Sequence, residues 1–501
     1  MKSQPTILVL LCLFWACTGQ KTDHQSDDDD NYYTQANTNR TAAEWEPAKG
    51  TMIVWPLCVP YKLAIELAKD NHLYTLVAND SAKNEAATWY NRWGIAPETN
   101  TFVYAPQGVD AWWTRDWGPS AIFTPDGTMK LGDGKYIYST PITKMGCDDS
   151  LRFLYTDPKN KIIKTETDDN ATLPLGKGLG IKVMDLPYIT TGGNVLTDGL
   201  GTAFSSCVLL NENRFYGIPQ EKFFRLNKQL AGFSRYPILS NFEKMGIQHL
   251  DCFMKLLDEE RILVAEPPKD HELYPVYENI VQHELKKLKS VYGRPYQIIR
   301  IKIGRYNQKD LAAYTNSIIV NKTVYVPLFQ IKEDSTALKT WQQALPGYTV
   351  KGFTFALKDE PIVSKAMKEN YKTGYGWNSG DALHCRTRAI WDSKMLYISA
   401  KRLPLTVTSN EKLTLYATII DYSKKGLEST SPKLHWRIQG EEHWNEKALN
   451  TTDNNTHFNA EIPTKINGKV IEYYISATSK SGRSETMPRT APQGFYTVER
   501  Q

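Results

Sequence analysis

The sequence predicts an α/β chain in two folded parts: a ring of five β-rich units with helices between them, then a small antiparallel sandwich. Three observations lead there. A polar motif followed by a hairpin pattern recurs five times between residues 110 and 400. Amphipathic helical stretches fall between the copies, Pro60 to Lys69 and Asp270 to Leu288 among them. After Lys401 only short alternating strands remain, split by Ser, Asn, Gly and Pro.

With 501 residues, 41% hydrophobic and 23% charged, the chain has material for a large core and two or three domains. Its formal charge of +5 is small for this length and no Lys/Arg block stands out, so nucleic acid is not an expected partner. A small or peptidic ligand is.

Residues 1–17 pair one lysine with an apolar run from Ile7 to Trp15 and read as an export signal, too short to span a membrane permanently. The Ala-Cys pair at its end suggests cleavage before Cys17 and lipidation of that cysteine, a membrane tether; an ordinary secretory signal cut a few residues later is the alternative. Residues 18–44 are polar and acidic without periodicity, a tether rather than a fold. The working domain is therefore expected outside the cytosol, as a cell-surface or outer-membrane lipoprotein or a secreted protein. Beyond the signal stand Cys58, Cys147, Cys207, Cys252 and Cys385, an odd number with no C-x-x-C, which argues against a disulfide framework and a zinc site and leaves at least one thiol free.

The first copy is "WTRDWGPSAIFTPDGTMKL", a polar signature, a strand, a Pro-Asp-Gly turn and a returning strand. "TGGNVLTDGLGTAFSS" turns at Asp198-Gly199, "HLDCFMKLLDEERILVAE" at Asp258 to Glu260, and "YTNSIIVNKTVYVPLF" at Asn321-Lys322. "HCRTRAIWDSKMLYIS" is a looser fifth copy bending at Asp392-Ser393. In each, the unusual polar residues precede the first strand and the far turn carries ordinary hairpin residues. Arranged about an axis, the polar starts converge and the central pocket collects Asp116, Asn194, His249, Asp251, Asn316 and Cys385. Residues 45–402 form this ring. Residues 403–501 read as an immunoglobulin-like sandwich without clustered titratable residues, for which a spacer, docking or export role is expected.

Two carboxylates, Asp116 and Asp251, with Trp112 and Trp113 before the first, suit a flat cation, and a guanidinium fits best. His249 and Asp251, two apart, share a side if the segment is a strand. His384 precedes Cys385 directly and on an extended chain points the other way, so His249 is the better base for the thiol. Arg386 and Arg388 alternate with Cys385 and are expected to support the sheet or form salt links. A thiolate facing the central carbon of a clasped guanidinium adds to it, ammonia leaves, and water releases a urea from the S-alkylthiouronium. The bound cation itself helps to lower the thiol's pKa.

"WTRDWGP", "GGN", "HLD", "YTNSIIVN" and "GDALHCRTR", in this order over about 45 to 402, resemble the motifs of the Porphyromonas-type peptidylarginine deiminase and agmatine deiminase family. The resemblance implies a five-bladed α/β propeller, the pentein fold, with a cysteine nucleophile, no metal and no cofactor. It implies Asp116 and Asp251 as guanidinium-binding carboxylates, His249 as general acid/base, Asn316 as a site residue, Cys385 as nucleophile and Trp113 lining the substrate pocket. Gly192, Gly193 and Asn194 match a family motif read as architectural, with Asn194 also a candidate substrate contact. The carboxy-terminal sandwich, the export signal and "WNSGDALHCRTR" look like the secreted peptidylarginine branch. In one respect the chain departs from it: residues 120–151 hold Lys130, Lys135 and Lys144 but no arginine to grip a C-terminal carboxylate. The expected substrate is an arginine-containing peptide or protein; agmatine or free arginine is the rival, and a non-enzymatic guanidine-binding surface protein a third reading. An amidinotransferase would share the chemistry as far as the covalent intermediate, but no amine-acceptor site is legible.

Overall fold

The structure, a computed structural model, describes residues 38–109, 113–137, 166–243, 249–306, 310–355, 377, 381–408, 412–453, 456–462 and 470–500. The export signal with Cys17, most of the tether, Trp112, Lys144 and Cys147 lie outside them.

Five sheets of three or four strands repeat one plan: an antiparallel pair, then a third strand running parallel to the second. In the first, Ser120–Phe123 pairs with Met129–Lys135, which pairs in parallel with Val183–Ile189. The second uses Leu196–Thr197, Ala203–Ser206 and Ile238–Leu239. The third and fourth use Met254–Leu256, Arg261–Glu266 and Gln297–Lys302, then Ile318–Val320, Thr323–Leu328 and Thr349–Thr354. A parallel neighbour needs a crossover, and helices supply it: Thr172–Leu179, Cys207–Phe215 with Gln220–Leu226, Tyr274–His283 and Glu333–Ala344. Hairpin chemistry is met where expected, with Gly127 at φ 77° and Gly199 at φ 76°. Asn321, at φ 53°, also turns its side-chain amide onto the backbone N–H and C=O of Ala48, both at 3.0 Å.

The fifth sheet joins the two ends of the ring. Arg388–Trp391 runs antiparallel to Ala48–Val54, which pairs in parallel with His72–Val77, and that strand with Asn100–Tyr104. Here the structure corrects the sequence reading. Leu396–Lys401, expected to return beside Arg388–Trp391, leaves the ring and pairs with Leu413–Asp421. The bend at Asp392 is real, with Met395 N–H on its carbonyl at 3.0 Å. A bend does not choose the partner of the strand that follows it. The ring therefore ends near residue 392, not 402.

The tether boundary moves as well. Arg40–Thr41 is a strand on the edge of the first sheet, paired with Phe123 and Ile122. Arg40 is buried against Glu46 at 2.6 Å and lies 4.1 Å from the Tyr397 ring, so the fold begins before residue 44. Beyond the ring, one four-stranded and one six-stranded sheet enclose a second core of Leu396, Ile398, Leu415, Ile419, Leu434, Ile471 and Ile475 among others. Cys207 is disulfide-bonded, whereas Cys58, Cys252 and Cys385 are free and buried.

Candidate active site

The polar motif before each sheet is a short turn, not the first residues of a strand. Asp116 sits in the helix Thr114–Trp117, Gly193 in the turn Gly192–Asn194, and Asp251 in the turn Leu250–Cys252 after an extended His249. Asn316 precedes Ile318–Val320 and Cys385 precedes Arg388–Trp391. The tight turns are what let side chains from four units meet beside the backbone of Gly193 from the fifth.

Buried polar groups tie the turns to one another. The N–H of Arg115 donates to the carbonyl of Cys385 at 3.0 Å, and that of Gly193 to Asp116 Oδ1 at 3.0 Å. Asn316 Oδ1 accepts from the backbone N–H of Ala382, His384 and Cys385 at 3.1, 2.9 and 3.2 Å. Its Nδ2 then points at Cys385 Sγ, 3.1 Å away. Asn316 thus shapes the Cys385 loop and offers a donor to the sulfur. Gly193 is required here by space. A Cβ there would lie 2.8 Å from Asp116 Oδ1, 2.9 Å from Asp251 Oδ2 and 3.0 Å from His249 Nδ1.

That convergence brings the two acids, the histidine and the thiol together. Cys385 Sγ is 3.4 Å from Asp251 Oδ2, and His249 Nδ1 is 3.5 Å from Asp116 Oδ1. His249 Nδ1 is buried without a hydrogen-bond partner among the described residues. Burial lowers His249 to about 4, so the ring is neutral near pH 7. Asp116 is raised well above the carboxylate range by burial and then by neighbouring Asp251. For Asp251 burial pushes up, but the hydrogen bond and charge of His384, with His249 and Lys255 behind, outweigh it and the group is lowered. The Cys385 thiol is drawn down by a hydrogen bond from Cys252, yet burial and the acids Asp251, Asp381 and Asp116 push it up to about 12. The two acids and the thiol share one buried cluster, and a guanidinium beside them would reverse the shifts of both Asp116 and Cys385.

Two expectations fail. Asn194, expected among the substrate contacts, spends its amide on structure: Nδ2 donates to Ser206 Oγ at 3.0 Å, and Oδ1 accepts from the N–H of Ser206 and Leu250 at 2.9 and 3.3 Å. It fastens the His249–Asp251 turn to the second sheet. His384, set aside because extended neighbours diverge, lies in a turn and reaches Asp251 Oδ2 with Nδ1 at 2.7 Å and Glu44 Oε2 with Nε2 at 2.8 Å. Glu44 also holds Lys255 at 2.7 Å. A neutral ring has one N–H, and acids on both nitrogens call for two donors. Burial, Arg115 and Lys255 pull His384 down, so the shared proton belongs to the whole Glu44–His384–Asp251 array. Arg386 grips Asp381 with two bonds, 2.9 and 2.6 Å, and Arg388 binds the Pro119 carbonyl and Ser120 at 2.9 and 3.0 Å. Trp113 is half-buried just before the Asp116 turn and accepts the Asp116 N–H at 2.9 Å.

The family of Porphyromonas-type peptidyl-arginine deiminases matches residues 40–356, more than half of the chain. This chain belongs to that family. Its members are hydrolases acting on the C–N bonds of amidines. A protein named agmatine deiminase from Mycoplasma mycoides subsp. mycoides is 22% identical over 342 residues, 62% of this chain and 88% of that protein. The crystal structure described as an arginine deiminase from Porphyromonas gingivalis aligns at TM-score 0.52 and 20% identity, over 71% of this chain and 99% of that one. Agmatine deiminase of Enterococcus faecalis aligns at TM-score 0.53 and 16% identity, over 72% and 97%. The α/β fold is that of these deiminases, the pentein fold, and the activity class is guanidine-modifying hydrolysis.

Proposed function

We propose that this chain is an exported deiminase that converts peptidyl arginine to citrulline and ammonia through a covalent Cys385 intermediate. The observation that carries the chemistry is the thiol 3.4 Å from Asp251 and 3.1 Å from the Asn316 donor, in a buried pocket shared with Asp116 and His249. The guanidinium lies between Asp116 and Asp251, with Trp113 lining its approach. As Cys385 Sγ bonds to the guanidinium carbon, its proton passes to neutral His249. His249 then protonates one terminal nitrogen, the C–N bond breaks and ammonia leaves, giving the thiouronium. Water gives a proton to His249 and attacks the same carbon, the C–S bond breaks as His249 returns that proton to the sulfur, and the proton of the new C–OH passes to the released ammonia, leaving the ureido group, ammonium and a restored thiol. Asn316 Nδ2 stabilises the sulfur anion at both ends of the cycle.

The peptidyl assignment is supported by the family description and by the carboxy-terminal two-sheet part, which we read as immunoglobulin-like. The five repeated sheets support a five-bladed propeller. Export is supported by the leader-like residues 1–17 and by the Cys207 disulfide, since such bonds persist in oxidising compartments; Cys17 is the site of lipid attachment in this reading. The deciding experiment compares ammonia and ureido product from arginine peptides, free arginine and agmatine, with C385A as the blank. Turnover of agmatine alone overturns the peptidyl reading. Mass spectrometry of the mature amino terminus tests the anchor: an unmodified terminus beyond Cys17 rejects it.

A further inference from the structure

Cys252 follows Asp251 in the turn that carries the site, and the mechanism above does not use it. Its sulfur is 3.5 Å from Asp251 Oδ1, and Asn316 Nδ2, already on Cys385, is 3.8 Å from it. One donor atom each from Asp251, Cys252 and Cys385 lie within 4.8 Å of one another, all three residues buried. Sequence spacing hides this pair, because 252 and 385 meet only when two units of the ring close.

We infer that Cys252, Cys385 and Asp251 form a site for a thiophilic divalent cation of the zinc type, whose occupation withdraws the nucleophile and excludes the guanidinium. Two thiols and a carboxylate within 4.8 Å of one another are close enough to share one ion. Zinc–sulfur and zinc–oxygen bonds of about 2.3 and 2.1 Å set sulfur–oxygen edges of about 3.6 Å and a sulfur–sulfur edge of about 3.8 Å. Cys385 Sγ stands 3.4 Å from Asp251 Oδ2 and Cys252 Sγ 3.5 Å from Asp251 Oδ1, one carboxylate oxygen beside each sulfur. His249 Nδ1, buried without a hydrogen-bond partner among the described residues, lies across Gly193 from these three and outside their group, so water would complete the four-coordinate set. Charge agrees with shape. The acids that await a guanidinium attract a dication by the same field, and thiolate ligands select zinc over magnesium or calcium. Thiols bind zinc as thiolates, so binding follows Zn²⁺ + 2 RSH → Zn(SR)₂ + 2 H⁺. The bound ion is an inhibitor rather than a cofactor, since it consumes the sulfur that must attack.

Binding stands on the geometry alone; inhibition rests on the function proposed above. The test is a competition of the full-length, reduced protein against a chromophoric zinc indicator without substrate, with proton release followed in weak buffer. One tight zinc per chain with two protons released is expected. C252A, C252S and C385A should each weaken it by no less than the ~10-fold that loss of even an outer-shell partner costs. The two Cys252 replacements differ in polarity, and thermal melting identifies the folded one. In turnover assays zinc should compete with the guanidine substrate, a chelator should restore the rate, and the folded Cys252 variant should lose zinc sensitivity by the same factor. No tight site, or equal binding by the C252A/C385A double variant, overturns the inference. An active, zinc-insensitive chain does so too while leaving the proposed function intact; a zinc-binding chain that turns over no guanidine does the reverse.

Discussion

The walls of the pocket around Asp116 and Asp251 carry the same side chain and opposite electrostatics. Behind Asp251 stand His384, Lys255 and Arg115, with Glu44 stitching the first two together at 2.8 and 2.7 Å. Asp116 receives the Gly193 N–H and faces the charge of Asp251. One acid is therefore held low and the other pushed high. In the proposed reaction the difference divides the labour: Asp251 as a fixed anion orients the sulfur and the substrate, and Asp116 becomes fully charged when the cation arrives.

Replacements can break this comparison, in order of expected effect. C385A removes the bond-forming atom and should lower ammonia release by at least roughly 10⁴-fold, the loss typical of deleting a nucleophile. D251N touches sulfur, substrate and His384 together; a fall in kcat/KM of about 10³-fold is expected, with a lower Tm, because one partner of a buried ion pair removed costs about 3–5 kcal/mol.

D116N should lower kcat/KM by about 10²-fold, chiefly through KM, since the Gly193 bond survives on the amide oxygen. Its stability effect has the opposite sign. A carboxyl raised on folding favours the fold below its unfolded value near 3.9 and loses that contribution as pH rises through its folded value. At neutral pH, where the unfolded chain holds this carboxylate ionised, burying Asp116 therefore costs the ligand-free fold, and D116N should raise its Tm. Asp251, lowered on folding, contributes stability above its unfolded value that is lost as pH falls through its folded one, so only D251N should flatten the acid loss of stability. In kinetics the acid limb of kcat/KM should follow Asp116 and fall back in D116N to that of His249, about 4; an acid limb unchanged in D116N would contradict the assignment. The smallest effect belongs to E44Q, which acts through His384. A fall in kcat of about 10-fold, with a shifted pH profile and little change in KM, is expected, whereas a merely structural role would lower Tm and leave the profile in place.

How much of this was legible follows from the kind of signal each residue leaves. Asp116, His249, Asp251, Asn316 and Cys385 were readable because unusual polar residues recur ahead of hairpin patterns, and hairpin patterns are local. The supporting wall was not. Glu44 sits in a segment whose composition resembles a tether, and only tertiary pairing of Arg40–Thr41 with the first sheet folds it. His384 was misjudged because alternation was assumed where the chain makes a turn; the same assumption for His249 and Asp251 reached the right pocket through the wrong local geometry. Cys252 left a trace in "HLDC", a thiol beside a site acid, which spacing rules for metals pass over. Asn194 shows the converse: a motif residue whose amide proves to be scaffolding. The strand Leu396–Lys401 had the right period and the wrong partner, since register and neighbour are set by the core it joins.

The central claim is that Cys385 sulfur bonds to a guanidinium carbon clasped by Asp116 and Asp251, and trapping that bond tests it most directly. Enzyme quenched in acid during turnover of an arginine peptide, then digested and weighed by mass spectrometry, should carry on the Cys385 peptide a mass equal to substrate less ammonia. The adduct should be absent in C385A. Steady turnover with an unmodified Cys385 peptide, or an adduct on another residue, would contradict the account.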